Sequence, residues 1–400
     1  MGTKRNSIIT DLRDYVDPLN PAASNYNVLL PKTSFEAVRN DSGGTLQDVL
    51  GGSCAWEVYT CTGTADSTAV ANLVNNFFTS GTAMTKKIKI VGTMGVAFTF
   101  TYYAMLINAA NTRGATCYLD FSECIIPEIT TASRDFLYVS SATAKLNVTG
   151  LTVTATRYGI YIAGGGSGVF TKCKTTGGAS TSSRGVFLDS GSAGSFDNCT
   201  ITAYGLQGAL VANSSNGNFS NCEIITFGTQ GFLLNNGSCV ILSNCVISGI
   251  NNGVADTGSA TRVSLYNCVI NCSNGYGVNF ANDAKLFNCT INSTTDCVYL
   301  PAAHVGQLLL QSCKIIGTTR GIYMISANTD AEIKLLNCQV KGGTQDIQQT
   351  TAANTAKWYI EGNSFSKASI IVDGTTAITS KESASIYFPL YGNLFSRTID

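Results

Sequence analysis

The sequence contains 15 cysteines, a residue type that can bind metals or form disulfides. Seven of them share one motif, with an apolar residue three positions before the cysteine and another two positions after it. They recur every 21 to 25 residues, at Cys199, Cys222, Cys245, Cys268, Cys289, Cys313 and Cys338. No close Cys-x-x-Cys pair suits zinc, and the odd count and absent secretion signal disfavour disulfides. The spacing therefore predicts a column of small, buried, reduced cysteines.

Carboxylates are the second group that could do chemistry, because glycosidic cleavage requires an acid and a second carboxylate about 5–10 Å apart. Asp197 and Glu223 come nearest to such a pair, three positions apart in adjacent repeats. Asp120 and Glu123 are a second, weaker candidate. Isolated solubilising charges are the favoured interpretation of both pairs. The single histidine, His304, has no evident partner in its loop and is predicted to be exposed.

The elements that position these residues follow from the repeat. About ten residues after each cysteine motif comes a second apolar segment, such as "GIYI" (159–162), "GVFL" (185–188) and "GFLL" (231–234). Both segments are short, rich in β-prone residues and bounded by Gly, Asn or Ser, which is typical of strands. Because no space for a helix remains between them, the pattern over roughly 120–365 predicts parallel coils stacked along an axis, a β-solenoid.

The residue before the cysteine position is mostly Asn or Gly, the two types that best tolerate positive φ. Along the chain these residues are Glu123, Gly150, Lys172, Asn198, Asn221, Asn244, Asn267, Asn288, Ser312, Asn337 and Gly362. A one-residue left-handed kink here would point both the preceding apolar residue and the cysteine inward. Amides stacked one strand spacing apart, about 4.8 Å, are also expected to form a hydrogen-bonded ladder.

Large apolar residues also recur where strand alternation predicts outward-facing side chains. In the second strand these are Tyr161, Phe187, Leu210, Leu233, Tyr299 and Tyr323, with Ala255 and Asn279 in the gap. Beside the cysteine position they include Tyr266, Phe287, Leu336, Val246 and Val269. Exposed apolar columns of this length exceed what a soluble monomer usually carries. The columns therefore predict an oligomer interface, with an aromatic platform for sugar as the alternative.

With coils such as "FDNCTITAYGLQGALV" (196–211), the chain resembles right-handed parallel β-helix proteins of the pectate-lyase-like family. Within that family the coil pattern is most similar to bacteriophage tailspikes and fibres. The resemblance implies an all-β fold, a right-handed single-stranded parallel β-helix of about ten coils. It further implies a small N-terminal adaptor and a capping helix in front of the first coil.

The chain divides into four predicted segments. In order they are a virion-attachment segment implied by the resemblance (1–53), a linker with the cap helix (54–87), the parallel β-helix (88–375) and a C-terminal cap or oligomer contact (376–400). The cap helix is predicted over 66–81, with Asp66 and Ser67 as N-caps and Gly81 as its stop. Its apolar face comprises Val70, Leu73, Val74, Phe77 and Phe78.

Composition limits the partners. Charged residues make up only 12% of the chain, and Lys+Arg and Asp+Glu both number 25, so neither nucleic acid nor anionic membrane is an expected partner. No apolar run is long enough for membrane insertion, and the charged N-terminus predicts no signal peptide. No metal or cofactor is predicted, since no matching motif occurs in a fitting context.

The resemblance implies a structural virion fibre or tailspike of a bacteriophage, made in the host cytoplasm and placed on the virion surface. Such a protein would bind a host-surface glycan as a homotrimer and attach to the virion through residues 1–53. One alternative is a polysaccharide depolymerase, a glycoside hydrolase or lyase; another is a head fibre or decoration protein on the capsid. The lack of a recognisable carboxylate pair favours binding over cleavage, so an enzyme is the less favoured interpretation.

Overall fold

The computed structural model describes residues 55–366, with gaps at 82, 99–101, 113, 142, 302–303, 305, 326–330 and 351–356, and the backbone of four short strands beyond them. The predicted attachment segment, 1–53, lies outside the described residues. The described part contains one helix, α1 (Asp66–Ser80), and strands numbered β1 to β38 along the chain. No helix in it is long and apolar enough to cross a membrane.

The strands form three sheets, in which hydrogen-bonded neighbours come from successive turns of the chain. Sheet 1 contains β1 (Glu57–Thr60), β2 (Thr85–Thr93), β4 (Thr116–Ile125), β6 (Lys145–Thr149), β9 (Ser167–Thr171), β12 (Ala193–Asp197), β15 (Asn216–Ser220), β18 (Cys239–Ser243), β21 (Arg262–Tyr266), β24 (Asp283–Phe287), β27 (Gln307–Gln311), β30 (Glu332–Leu336), β33 (Lys357–Glu361) and β37 (Ile386–Tyr387). Sheet 2 contains β7 (Thr152–Ala155), β10 (Lys174–Gly177), β13 (Thr200–Ala203), β16 (Glu223–Thr226), β19 (Val246–Gly249), β22 (Val269–Cys272), β25 (Thr290–Ser293), β28 (Lys314–Gly317), β31 (Gln339–Gly342), β34 (Ser364–Phe365) and β38 (Leu394–Phe395). Sheet 3 contains β3 (Tyr103–Ile107), β5 (Asp135–Val139), β8 (Tyr158–Ile162), β11 (Arg184–Leu188), β14 (Gln207–Val211), β17 (Gln230–Leu234), β20 (Asn252–Asp256), β23 (Tyr276–Asn279), β26 (Asp296–Leu300), β29 (Arg320–Met324), β32 (Gln345–Gln349), β35 (Val372–Asp373) and β36 (Thr376–Ala377).

Each coil runs through sheet 1, sheet 2 and sheet 3 in turn, and about nine coils, from β6–β8 to β30–β32, contain all three strands. Among the described strands all pairings are parallel except that of β35 with β36. The predicted parallel solenoid is confirmed. Sheet 1 extends beyond the predicted limits of 88–375, because β1 pairs with β2 at one end and β37 with β33 at the other.

A left-handed residue separates sheet 1 from sheet 2 in each coil, as predicted. The backbone φ is positive at every predicted position except Glu123, which lies inside β4. The amide ladder is also present: Asn244 Nδ2 donates to Asn221 Oδ1 at 3.2 Å, and Asn267 Nδ2 donates to Asn244 Oδ1 at the same distance. The kink therefore repeats because each asparagine both adopts positive φ and bonds to its copy one coil away.

The cysteine column fills the inner side of this corner. The described cysteines are free thiols, and all except Cys61 and Cys239 are buried. Each thiol in the column also lies near strand-end carbonyl groups; Cys222 Sγ is 3.2 Å from the Ser220 oxygen and 3.4 Å from the Phe196 oxygen of the preceding coil. Outside the column, burial raises the pKa of the Cys117 thiol to about 12. Small volume and a weak S–H donor together explain why cysteine recurs here.

The core of sheet 1 contains a stack of phenylalanine rings. Phe196 lies parallel to Phe170 and Phe219, with ring centroids 4.9 and 4.8 Å apart. Glycine occupies the inward position two residues before each ring, because a Cβ at Gly194 would lie 2.7 Å from the Phe196 ring and 2.9 Å from the Leu188 side chain. The rings therefore take the volume that side chains at these glycines would need.

Helix α1 covers core residues at the N-terminal end of the solenoid, as predicted. Val70, Val74, Phe77 and Phe78 are buried, whereas Leu73, predicted on the same face, is 37% exposed. The helix packs on β3 of sheet 3, where Asn75 Nδ2 donates to the Leu106 carbonyl at 2.8 Å. An amphipathic helix here shields apolar side chains that no further coil covers.

The predicted N-caps have a different role. The N-cap residue is Ala65, which has φ of 51° and no capping side chain. The fully buried Asp66 carboxylate instead accepts hydrogen bonds from the backbone N–H groups of Thr62, Gly63 and Gly95 at 2.9, 2.8 and 2.7 Å. Burial acts to raise the pKa of Asp66, but these hydrogen bonds outweigh it and hold the pKa well below its usual range.

Candidate functional site

The two carboxylates of the first candidate catalytic pair lie on different sheets and in different surroundings. Asp197 ends β12 and accepts hydrogen bonds from Ser220 Oγ, Asn221 Nδ2 and Asn198 Nδ2 at 2.7, 2.9 and 2.8 Å. The first of these bonds is the largest cause of its lowered pKa, with Asn221 next. Glu223 is the exposed first residue of β16 in sheet 2. A general acid needs a raised pKa, so Asp197 is suited to ending the amide ladder, not to donating a proton.

The second pair is held in surface contacts. Asp120 Oδ1 accepts the Ser122 backbone N–H at 2.9 Å. Glu123 forms an ion pair with Lys89, and its side chain is 60% exposed. Asp120 is thus engaged by the backbone and Glu123 is paired with a lysine.

Asp135 is a buried carboxylate that the sequence did not single out. Burial raises its pKa, while two hydrogen bonds from Arg157 act to lower it. A raised pKa suits a general acid, yet the bidentate arginine occupies both oxygens. Asp135 is therefore a structural partner of Arg157.

The prediction for His304 is wrong, because its side chain is fully buried. Its Nδ1 lies 3.0 Å from the Phe280 carbonyl oxygen, so Nδ1 carries the proton and donates it. Its Nε2 has no hydrogen-bond partner among the described residues. Burial lowers the pKa of the imidazole, which keeps it neutral in the folded chain. Within the described ranges no group of three or more His, Cys, Asp and Glu is placed to hold a metal ion.

A groove of about 580 Å³ lies on the outer face of sheet 1, and we call it the sheet 1 groove. It crosses six strands, from β4 to β18. One outward column in register contributes Tyr118, Asn147, Val169, Ser195, Asn218 and Ile241 to its lining. Lys145 is the one charged residue of the lining. The groove thus offers amides, hydroxyls and apolar side chains at regular spacing along the axis, and little charge.

Six predicted outward residues do lie in register on the outer face of sheet 3: Tyr161, Phe187, Leu210, Leu233, Tyr299 and Tyr323. The exposed stripe expected there is interrupted, because Leu210 is only 7% exposed and Ala255 is fully buried. Large side chains one coil apart cover one another, as in the Tyr161–Phe187 stack with centroids 4.8 Å apart. The assembly role of this column stays a prediction.

One group of exposed apolar side chains lies where sheet 1 turns into sheet 2. We call Val246, Tyr266, Val269 and Phe287 the corner patch. Val246, Tyr266 and Val269 are 41%, 38% and 37% exposed, and Tyr266 stacks on Phe287 with centroids 5.2 Å apart. Tyr266 and Phe287 were predicted as interface or platform residues, and the structure separates them from the sheet 3 column.

An exposed aromatic pair escaped the sequence analysis. Tyr204 and Phe227 are 53% and 55% exposed and stack with centroids 5.0 Å apart between sheets 2 and 3. The signal was present in "TAYG" and "ITFG", where an aromatic residue precedes glycine in successive repeats. It lies after the strand rather than within it, so strand alternation does not mark it as a site.

Comparison with known proteins gives a family match and distant structural neighbours. The family model described as "Right handed beta helix region" matches residues 136–285. No curated protein sequence matches the chain. Among solved structures, the Dettilon tailspike protein is 11% identical with a TM-score of 0.44, covering 84% of this chain and 70% of its own. PfbA, a surface adhesin of Streptococcus pneumoniae, is 11% identical with a TM-score of 0.23, covering 79% and 91%. The family match and the three parallel sheets show that the chain folds as a right-handed parallel β-helix.

Proposed function

We propose that this protein is an attachment fibre that binds an extended, mostly neutral surface glycan along the sheet 1 groove without cleaving it. The observation that carries the proposal is the groove itself, which crosses six strands and contains one charged residue. Its amide and hydroxyl side chains can bond sugar hydroxyls, and its apolar side chains can contact sugar C–H faces. A site of mixed polar and apolar lining on a rigid scaffold is the usual form of a ligand cleft.

The arrangement of the carboxylates supports binding without cleavage. Asp197 is fully engaged by three donors, and Glu123 is paired with Lys89. Neither residue lines the groove. Hydrolysis by the usual route needs two carboxyl groups flanking the scissile bond, so a depolymerase is the second candidate. The bacteriophage origin and the attachment through residues 1–53 rest on the resemblance of the coil pattern to phage fibres.

A filled groove tests the binding proposal. Ser195→Phe places a ring on the floor of the groove, while Ser264→Phe makes the same change in the same outward column three coils further on, outside the groove. On a glycan array with the full chain, we expect Ser195→Phe to weaken binding at least about tenfold and Ser264→Phe to leave it unchanged. Equal binding by both variants would place the glycan elsewhere. New reducing ends or unsaturated products from host capsular polysaccharide would favour the depolymerase.

We further infer that copies of this chain cover the corner patch. Burying a fully exposed large apolar side chain contributes about 1.5–3 kcal/mol, and the corner-patch side chains are at most 41% exposed, so together they offset part of the association cost of about 4–15 kcal/mol. Three copies are carried over from the resemblance. Light scattering of the pure protein should show an oligomer that Val246→Asp with Val269→Asp dissociates. Ile125→Asp, at a 67% exposed position elsewhere on sheet 1, should not. A monomer at micromolar concentration would contradict the inference.

A further inference from the structure

The outer face of sheet 3 carries two clusters in which arginine meets stacked aromatic rings. The C-terminal cluster consists of Tyr276, Asp296, Tyr299, Arg320 and Tyr323. The N-terminal cluster consists of Asp135, Tyr138, Arg157, Tyr158, Tyr161, Arg184 and Phe187. Apart from Arg157, which precedes β8, the residues of both clusters lie on the same two register columns of this sheet, so the clusters differ mainly in composition.

The C-terminal cluster is neutral. The Arg320 guanidinium donates to Asp296 through Nε and Nη2, each at 2.6 Å. Its Nη1 donates to Gln348 at 2.8 Å, and its carbon lies 3.3 Å from the Tyr323 ring centroid. A bidentate carboxylate here balances the arginine charge and uses the guanidinium fork.

The N-terminal cluster contains the same kind of pair and one further cation. Arg157 donates to Asp135 through Nε at 2.8 Å and through Nη2 at 2.5 Å. Arg184 begins the next strand of the sheet, and its carbon lies 5.4 Å from the Tyr158 ring centroid and 4.9 Å from that of Phe187. This second arginine has no equivalent in the C-terminal cluster.

The hydrogen bonds of Arg184 go only to neutral oxygens. Its Nε donates to Gln207 Oε1 at 2.7 Å, and its Nη1 donates to Tyr158 Oη at 2.9 Å and to the Ser182 carbonyl at 3.2 Å. In the described part of the chain no carboxylate lies within ion-pair distance of it. Burial lowers the pKa of this guanidinium, as expected for a cation held without a counter-ion.

Two features make Arg184 available to a ligand. Its Nη2 group has no protein acceptor among the described residues, and the side chain is half-buried, so two N–H donors remain open. Asp189 forms no ion pair with Arg184; it accepts hydrogen bonds from Asn213 Nδ2 at 2.6 Å and Tyr161 Oη at 3.4 Å. Arginine held by aromatic rings is pre-organised, so little side-chain entropy is lost when an anion binds.

We propose that the N-terminal cluster is a second binding site, in which Arg184 binds the carboxylate of an acidic saccharide. The fixed guanidinium supplies charge and paired donors to a carboxylate, and the Tyr158 hydroxyl, which accepts from Arg184, lies beside it for a sugar hydroxyl. The site is on a different sheet from the sheet 1 groove and takes an anionic ligand, whereas the groove takes a mostly neutral one. It therefore adds an acidic-sugar specificity to the attachment function and does not depend on the groove.

Carboxyl-reduced sugars test this without altering the protein. The probes are oligogalacturonate, oligosialate and hyaluronan oligosaccharides, each compared with its carboxyl-reduced form by titration calorimetry with the full chain. We expect at least one acidic probe to bind about tenfold or more tightly than its reduced form, and the difference to shrink at high salt. Binding of none of the acidic probes, or equal binding of both forms, would overturn the proposal.

Variants then locate the site. Arg184→Gln should weaken the acidic probe about tenfold or more, and Arg184→Lys, which keeps the charge but loses the fork, should fall between it and the unmodified chain. Arg262→Gln is the matched control, since it removes the same charge from an exposed position on sheet 1. If Arg184→Gln lowers the melting temperature, the affinity of Arg184→Lys for the acidic probe is used in its place to test the role of Arg184. Unchanged binding in both variants would refute the role of Arg184. Ser195→Phe should leave acidic binding intact, which separates failure here from failure of the groove proposal.

Discussion

The inner and outer faces of sheet 1 differ in how strictly one coil repeats the next. In β9, β12 and β15 the inward residues repeat as Gly-x-Phe, with the three phenylalanine rings stacked 4.8–4.9 Å apart. The outward residues between them are Val169, Ser195 and Asn218, which share no property except modest size. An inward side chain touches its own copies above and below and the opposite wall, whereas an outward one meets mainly solvent. Residue types that repeat from coil to coil therefore indicate positions that stabilise the fold. Outward positions where the residue type varies are free to form a binding site.

The largest effect should come from the ring stack. Phe196→Ala removes the central ring and should lower the free energy of unfolding by about 3–5 kcal/mol. Ser195→Ala, the next residue on the outer face, should stay within about 0.5 kcal/mol of the unmodified chain. Urea denaturation followed by circular dichroism measures both. Similar losses in the two variants would break the comparison of faces.

The cap end gives a second test, because there a polar group is buried where the repeat has not begun. Asp66→Ala should cost on the order of 3 kcal/mol, since buried N–H donors lose a charged acceptor. The lowered pKa of Asp66 means that its stabilisation is present above the unfolded-state pKa of about 3.9 and is lost as pH falls through the lower folded-state pKa. Denaturation between pH 5 and pH 2 should therefore show less acid sensitivity in Asp66→Ala. Equal sensitivity would remove Asp66 as the cause.

The amide ladder refines the comparison of inner and outer faces, because its asparagine side chains are exposed and yet recur in successive coils. Asn244→Ala loses two ladder hydrogen bonds and must keep φ near 54°, so it should cost about 1–2 kcal/mol. Asn244→Gly loses the same bonds without the backbone strain and should recover about half of that. Thermal melts of both variants decide the matter. If Asn244→Gly is no more stable than Asn244→Ala, asparagine recurs at this position because of its side-chain amide and not because of its tolerance of positive φ.

The smallest effect concerns His304, which is buried but outside the repeat. Its folded-state pKa is lowered, so the unfolded chain takes up a proton first as pH falls below about 6.5. Stability should then decrease with falling pH, by at most about 1.4 kcal/mol per pH unit, until the folded-state pKa is reached. His304→Gln should remove this slope between pH 7 and pH 5. A slope that persists would belong to another group.

Much of the fold could be predicted from residues that pack against the equivalent residues of neighbouring coils. The cysteine spacing, the Asn and Gly before each cysteine and the second apolar segment predicted the coil, the kink and the inner column. The amphipathic pattern predicted α1, although Leu73 is exposed and Asp66 binds loop N–H groups in place of the helix end. Asp66 could not be assigned correctly because Gly95, one of its donors, lies far along the chain.

The candidate sites were less predictable. Strand alternation shows which side chains point outward, but not which of them their neighbours cover, and so Leu210 is buried while Tyr266 is exposed. The groove is formed by side chains from six strands together, so no single residue of the sequence predicts it. Tyr204 and Phe227 lie between strands, where strand alternation does not predict whether a side chain points inward or outward.

The sequence by itself determined the solenoid, because every inward residue must pack against the equivalent residue of the next coil, about 4.8 Å away. This requirement appears in the sequence as a periodic pattern. Only the tertiary structure decided that Arg157 and Arg320 each meet a carboxylate while Arg184 meets neutral oxygens. Whether a charge is balanced depends on side chains contributed by neighbouring coils and on the path of the loops between them. That information is not periodic, so the repeat could not reveal it.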